Sequence, residues 1–342
     1  MSENVERPMF LQNAWYVAGF GSEIGTGEMR PIRILDCAIL LLRRTDGSLA
    51  ALVDRCPHRF APLSLGHFDG VQVTCGYHGL GFDGNGACSQ NPHGPTAGLK
   101  VQAWPVREHD GLIWVWPGEA DAAEAVEPPR FAMLDEATAH VNHGYLHGRA
   151  DYRLMIDNIL DLSHIEFLHP ALGTPEVRKA KIEVTTDGDV ITVSRAMNGE
   201  TLSEGLAHVY GAAGQKVDRT LTVAFNAPSN LVLTVRIERE QGRTGSQSLH
   251  LFTPETATST HYFYTSSMWR EDATREQFDA FAGALTRVFL NEDKPMIDAQ
   301  QERIGNREIG ELKPALLKID KGAVLARRKL EQMIAREAEE HA

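Results

Sequence analysis

Apolar residues first gather in short runs that read as strands. Residues 31–43 and 49–53 flank an Asp46-Gly47-Ser48 turn, and Leu112-Ile113-Trp114-Val115-Trp116 stops at Pro117-Gly118. Between them, residues 55–98 are rich in Gly, Pro and His and too irregular for a helix. The first third therefore predicts a small β-domain with long loops. Residues 117–130, rich in Ala, Glu and Pro, have linker composition, and the expected domains are 1–125 and 126–342. Beyond the linker the pattern predicts a helix near 152–168 and three β-rich stretches. These are 181–197, turning at Asp187-Gly188-Asp189, then 218–239 and 247–268. A long helical run follows at 274–305, and an amphipathic terminal helix at 322–340. Strands followed by helices, rather than strict alternation, predict an α+β domain with an antiparallel sheet.

Composition narrows the class. A chain of 342 residues suits two domains, and 42% apolar with 23% charged residues excludes collagen-like and disordered chains. The formal net charge of −12 argues against a nucleic-acid binder, and Arg327-Arg328-Lys329 is the one cluster of three basic residues. Apolar runs such as Cys37–Leu42 fall far short of the roughly 20 residues a membrane-spanning helix needs, so no membrane partner is expected. Glu3 and Glu6 stand where a signal peptide would have an apolar core, which predicts a cytoplasmic protein. Four cysteines make no disulfide framework; those grouped with histidines point to metal.

The grouping is specific. Cys56-Pro57-His58 and Cys75-Gly76-Tyr77-His78 form C-x-H and C-x-x-H on separate loops. Zinc also accepts two cysteines and two histidines, but its common spacing pairs Cys with Cys and His with His. One of each per loop instead resembles a Rieske [2Fe–2S] centre, where one iron takes two thiolates and the other two imidazoles. Small residues beside these ligands, Pro57, Gly76 and Gly79, suit loops whose amides approach bridging sulfides. Cys37 and Cys88 cannot build a four-thiolate cluster, and no G-x-G-x-x-G dinucleotide fingerprint is present. Electrons must come from another protein.

A second constellation lies in Asp157-Asn158-Ile159-Leu160-Asp161-Leu162-Ser163-His164-Ile165-Glu166-Phe167-Leu168-His169-Pro170. On a continuous helix Asp157, Asp161 and His164 share one face, while His169 joins them only where the helix ends or bends, as Pro170 suggests. Two histidines and a distant carboxylate make the facial triad of non-haem iron(II) oxygenases. Glu292 and Asp293 are both candidates for the carboxylate, with helical periodicity leaning towards Glu292. His143 and His147, beside Gly144 and Gly148, read as residues of a loop with no metal role.

Together, C-x-H…C-x-x-H and D-x3-D-x2-H-x4-H resemble the oxygenase component of Rieske non-haem iron oxygenases. Asp54–Ser64, Asn91-Pro92-His93-Gly94, Asp151–Asn158 and Phe252-Thr253-Pro254-Glu255-Thr256 are similar to the subgroup containing vanillate and dicamba O-demethylases. The likeness runs from about Asn13 to the terminal helix. It implies an N-terminal all-β Rieske domain, a helix-grip catalytic domain of antiparallel sheet plus helices, and homotrimers. It further implies a cluster held by Cys56, His58, Cys75 and His78, and a mononuclear Fe(II) held by His164, His169 and Asp293. Asp161 would bridge His164 to His78 of the partner subunit, Asn158 would lie near the iron, and His250 would contact substrate.

The expected enzyme is a terminal oxygenase fed by a separate reductase or ferredoxin, using O2 on a small aromatic substrate. Oxidation of an aryl methyl ether would yield a phenol and formaldehyde. Ring hydroxylation and N-demethylation are alternatives at the same site. A Rieske electron carrier without catalysis would need only the first domain, and a zinc-stapled binding module would not mix its ligand loops.

Overall fold

The computed structural model describes residues 9–340, so Glu3 and Glu6 lie outside the described residues. Contacts divide these residues into two units: 9–130 with 253–256, and 131–252 with 257–340.

The first unit is β-structure throughout, apart from short helical turns. Tyr16–Phe20, Leu112–Val115 and Val106–His109 make a three-stranded sheet; Met29–Ile34, Cys37–Arg43, Leu49–Val53 and Ala103–Trp104 make a second, four-stranded one. The stretch 55–98, irregular in sequence, holds a third sheet of very short strands, His67–Phe68, Gln72–Thr74, Gly81–Asp83 and Cys88–Gln90. Leu40, Leu42, Leu52, Val73 and Phe82 fill its core together with the buried Cys56 and Cys75.

The single strand expected over 31–43 is a hairpin. Leu35 and Asp36 take φ of 49° and 63°, which suits the two-residue turn favoured between twisted strands. Such turns are usually marked by Asn or Gly; Leu35 gives no such signal. The cost of roughly 1–2 kcal/mol per left-handed residue is offset in part by main-chain bonds. Leu35 N–H donates to the Pro254 carbonyl at 2.9 Å and Asp36 N–H to that of Glu255 at 2.8 Å. The expected linker also contains a short helix, Ala120–Glu124.

The second unit is built on one seven-stranded sheet. Its strands are β1 (Ala139–Gly148), β2 (Lys181–Asp187), β3 (Val190–Glu200), β4 (Val217–Asn226), β5 (Asn230–Arg239), β6 (Gly242–Thr256) and β7 (Ser259–Trp269), in the order β1-β7-β6-β5-β4-β3-β2. β2 to β6 run antiparallel in succession, and β1 pairs antiparallel with β7. Alternate residues of β4 are buried, as expected for a sheet with one covered face. His143 and His147 therefore lie on a strand rather than in a loop. They share a face, but four residues of extended chain separate them by about 13 Å, too far for one metal ion.

The longer helices of the unit are α1 (Tyr152–Leu160), α2 (Arg275–Val288), α3 (Lys294–Ile304) and α4 (Lys321–Glu340). Thr274 and Gln277 start α2 with a capping box, and its Phe278, Phe281 and Ala282 are buried with Ile237 and Met268 of the sheet. The helix expected over 152–168 is broken after Leu160. Asp161 takes φ −103° and ψ 91°, outside the helical region, and a 3-10 turn (Leu162–His164) and one short helical turn (Ile165–Leu168) follow. Asp157, Asp161 and His164 consequently do not share a face. Asp157 instead accepts from Arg327 of α4 at 2.9 and 2.5 Å.

Candidate metal centres

In the first unit, two loops repeat one backbone design. Cys56 N–H donates to the Ala61 carbonyl (2.8 Å) while its own carbonyl accepts from Phe60 N–H (2.9 Å). Cys75 does the same with Leu80 (2.8 Å) and Gly79 (3.0 Å). The fifth residue of each loop must be left-handed. Gly79 meets that demand at φ 72°, and Phe60 meets it at φ 59° at the expense of strain. Asp54 pins the first loop by accepting from the Ser64 N–H and hydroxyl at 2.8 and 2.6 Å. The Asn91–Gly94 turn lies against the second, with His93 Nε2 3.2 Å from the His78 carbonyl oxygen.

The result sorts the four side chains by softness. Both cysteines are 2% exposed, whereas His58 is exposed and His78 half-buried, their rings 4.5 Å apart. Buried thiols paired with outward imidazoles fit the mixed thiolate and imidazole donor set that a Rieske two-iron cluster would need. Burial raises the Cys56 thiol above its ordinary value. Desolvation and the facing His58 imidazole lower His78, which favours the neutral ligand form.

In the second unit, the broken helix is what brings two histidines together. Asp161 Oδ1 accepts from Ser163 N–H at 2.9 Å and starts the turn that carries His164. One further turn delivers His169, which leaves the helix at φ −119° just before Pro170. Behind His169 the chain folds back tightly, since a Cβ on Gly173 would lie 2.4 Å from the Ile165 carbonyl oxygen. Ser203 Oγ and Arg219 hold the carbonyls of Ala171 and Leu172, and Arg219 forks onto the fully buried Glu200 at 2.8 and 2.6 Å. Removing one member of such a buried pair costs about 3–5 kcal/mol.

The carboxylate arrives from 124 residues on. Between α2 and α3 the helix widens to a π-turn, Phe289–Asp293, in which Lys294 N–H reaches back to the Phe289 carbonyl. Such one-residue insertions shift the register of everything beyond them and recur at functional sites. Asp293 Oδ1 lies 3.1 Å from His169 Nε2 and 3.5 Å from His164 Nε2. One donor atom from each of the three residues falls within 4.8 Å of the others, and this is the one such group among the described residues.

The two nitrogens of each imidazole have separate partners. His169 Nδ1 meets Glu292 Oε2 at 2.7 Å, and His164 Nδ1 meets the Asp161 main-chain carbonyl at 2.6 Å. With Nδ1 directed at oxygen acceptors, both Nε2 atoms face Asp293, a donor set of two imidazoles and one carboxylate that suits iron(II). Burial lowers His164; burial also opposes charge on His169, but Asp293 and Glu292 outweigh it and raise that group. Glu292, which periodicity favoured, thus sits on the far nitrogen of His169 rather than in the three-residue group. Asn158 is adjacent, its Nδ2 donating to Asp293 Oδ1 at 3.0 Å.

Asp161 and His250 both make contacts within their own unit. Asp161 reaches His164 through its backbone carbonyl, while its carboxylate is engaged by Ser163 N–H and lies 3.5 Å from buried Arg195. His250 is fully buried, with Nε2 2.9 Å from Ser248 Oγ and Nδ1 2.7 Å from the Tyr262 hydroxyl. Burial pushes its pKa down to about 3 and keeps it neutral. A cavity beside Asp293 and Asn158 is lined by Tyr262 and Phe252, and His250 stands behind Tyr262 instead of on that lining. Tyr262 and Arg195 went unnoticed in the sequence. Period-two patterning cannot single out Tyr262, because β7 is buried on both faces.

A protein with candidate centres of two kinds, one suited to passing electrons and one to binding O2, is by class an oxygenase with a built-in relay. Residues 14–105 match the Rieske [2Fe-2S] domain, and residues 149–336 match the vanillate O-demethylase oxygenase C-terminal domain. The chain belongs to this family of Rieske oxygenase components. It is 34% identical to the dicamba O-demethylase oxygenase component of Stenotrophomonas maltophilia, over 96% of this chain and 99% of that one. It is 35% identical to the chloroacetanilide N-alkylformylase oxygenase component of Rhizorhabdus wittichii (96% and 97% covered), and 30% identical to a vanillate O-demethylase oxygenase subunit of a Pseudomonas species (97% of each). Dicamba monooxygenase bound to 3,6-dichlorosalicylic acid superposes with a TM-score of 0.89 at 34% identity, covering 96% of this chain and 99% of that one.

The protein is therefore the oxygenase component of a monooxygenase system, with a Rieske cluster and a non-haem iron as cofactors and a separate reductase or ferredoxin as electron donor. Among the described residues no helix is long and apolar enough to cross a membrane.

Proposed function

We propose that this oxygenase O-demethylates a small aryl methyl ether, releasing a phenol and formaldehyde. The observation that carries the reading is the convergence of His164, His169 and Asp293, taken with relatives that include two O-demethylase components. In this reading those three residues hold the mononuclear iron, and Cys56, His58, Cys75 and His78 hold the cluster. When bound, the two metal groups supply electron transfer and the reductive activation of O2.

The balance is simple: ArOCH3, O2, two electrons and two protons give ArOCH2OH and water, and the hemiacetal collapses to ArOH and CH2O. The protein's own work is positional. Glu292 and the Asp161 carbonyl keep the two imidazoles turned with Nε2 inward. Asn158 orients Asp293, and the apolar cavity presents one C–H bond to the site, which makes binding the step that decides specificity.

The reading extends to assembly. Domains 1–125 and 126–342 would each carry one centre, in a cytoplasmic homotrimer, with electrons crossing from the partner subunit's His78 through Asp161 to His164. The Asp161 side chain keeps 23% of its surface exposed, enough to meet a partner.

Single-turnover assays test the chemistry without the cognate reductase. Dithionite-reduced protein exposed to O2 and a panel of aryl methyl ethers should give formaldehyde and phenol in equal amounts. Ring-hydroxylated products without formaldehyde, or aldehyde only from N-alkyl substrates, would replace O-demethylation with another oxidation.

A further inference from the structure

The cavity next to Asp293 and Asn158 has a volume of about 20 Å³ and leads out to solvent. Its walls are mostly carbon, including Met155, Ile159, Phe252, Phe289, Ile297 and the ring of Tyr262. Apart from Asp293, three polar side chains contribute to the lining. Each is already engaged by the protein. Asn158 Nδ2 donates to Asp293 Oδ1 at 3.0 Å, and the Tyr262 hydroxyl is bonded to His250 Nδ1 at 2.7 Å. Lys294 Nζ donates to Asp298 Oδ2 at 2.6 Å, and Asp298 is 8% exposed and also accepts from Arg149 N–H at 2.9 Å.

Among the described lining residues the one cation is matched by a buried carboxylate, and the other charged group, Asp293, is itself acidic. Behind Tyr262 the polar chain closes on Ser248, so the imidazole of His250 offers no open nitrogen. A substrate carboxylate entering this space would shed its water and find no unpaired positive side chain. An uncharged ring would shed only ordered water and gain aromatic edges and aliphatic contacts.

We propose that the substrate is an uncharged aromatic compound, gripped by ring and aliphatic contacts rather than by an ion pair. This rests on the reading of His164, His169 and Asp293 as the oxidising centre, and it narrows the substrate class of that site.

The test compares a matched pair, 4-methoxytoluene and 4-methoxybenzoate, on the iron-loaded holoenzyme at neutral pH. Calorimetry gives each dissociation constant, and a single turnover gives formaldehyde. The neutral ether should bind at least about tenfold tighter. Ile297→Lys, which adds a cation to the lining, should narrow or reverse that ratio; a folded variant with native cluster absorbance and an unchanged ratio counts against the proposal. Equal or tighter binding of the benzoate by the unmodified enzyme overturns it, as does failure of both to bind. Neutral ether bound without formaldehyde sustains the substrate class and removes O-demethylation, whereas formaldehyde from the benzoate alone does the opposite.

Discussion

Asp161 shows how much one carboxylate can be asked to do. Its backbone carbonyl orients His164, and its side chain both begins the turn and, in the proposed trimer, faces the donor imidazole. Asp161→Asn keeps an oxygen for Ser163 N–H and removes only the charge. Both centres should remain loaded while steady-state turnover falls on the order of 100-fold; normal turnover would refute the relay. His250 makes a different prediction. Folded, it stays neutral down to about pH 3, but in the unfolded chain it takes a proton near 6.5. The unfolded state therefore binds more protons in that window, and stability falls as pH drops through it. In His250→Gln, urea midpoints at pH 7 and pH 5 should lie closer together than in the unmodified protein. An identical spacing would show that His250 is not the buried neutral group described.

At the scale of elements, what could be read from the sequence was what the chemistry confines to a few consecutive residues. The two Cys-His loops are of this kind, because a knuckle needs its ligand, its left-handed residue and its return bond within six positions. His164 and His169 were legible for the same reason. Asp293 came only through the family resemblance, because the π-turn over Phe289–Asp293 breaks the 3.6-residue arithmetic that favoured Glu292. The turn at Leu35–Asp36 was missed because main-chain bonds to Pro254 and Glu255 support a conformation that Leu35 does not advertise. Likewise, the closure of His250 depends on Tyr262 of the adjoining strand, which no local pattern reports. The π-turn invites a direct test. Deleting Leu290 restores ordinary helical register and swings residue 293 by about 100°. The protein should then lose mononuclear iron and keep the cluster's visible spectrum; full iron occupancy would show that the turn is dispensable.

As a whole, the polypeptide serves two iron centres of unlike chemistry. The first unit buries its thiols and leaves its imidazoles outward. The second unit holds its imidazoles and carboxylate beside a largely apolar cavity. An electron carrier would require only the former, and a zinc module neither. The most direct measurement is iron and acid-labile sulfide per chain in anaerobically purified protein, alongside the same analysis of His164→Ala. Two irons and two sulfides belong to the cluster and one more iron to the histidine site. The variant should lose that single iron and keep both sulfides and the resonance of the reduced cluster. An unmodified protein with iron only in the cluster, or a variant that retains all of its iron, would contradict the account.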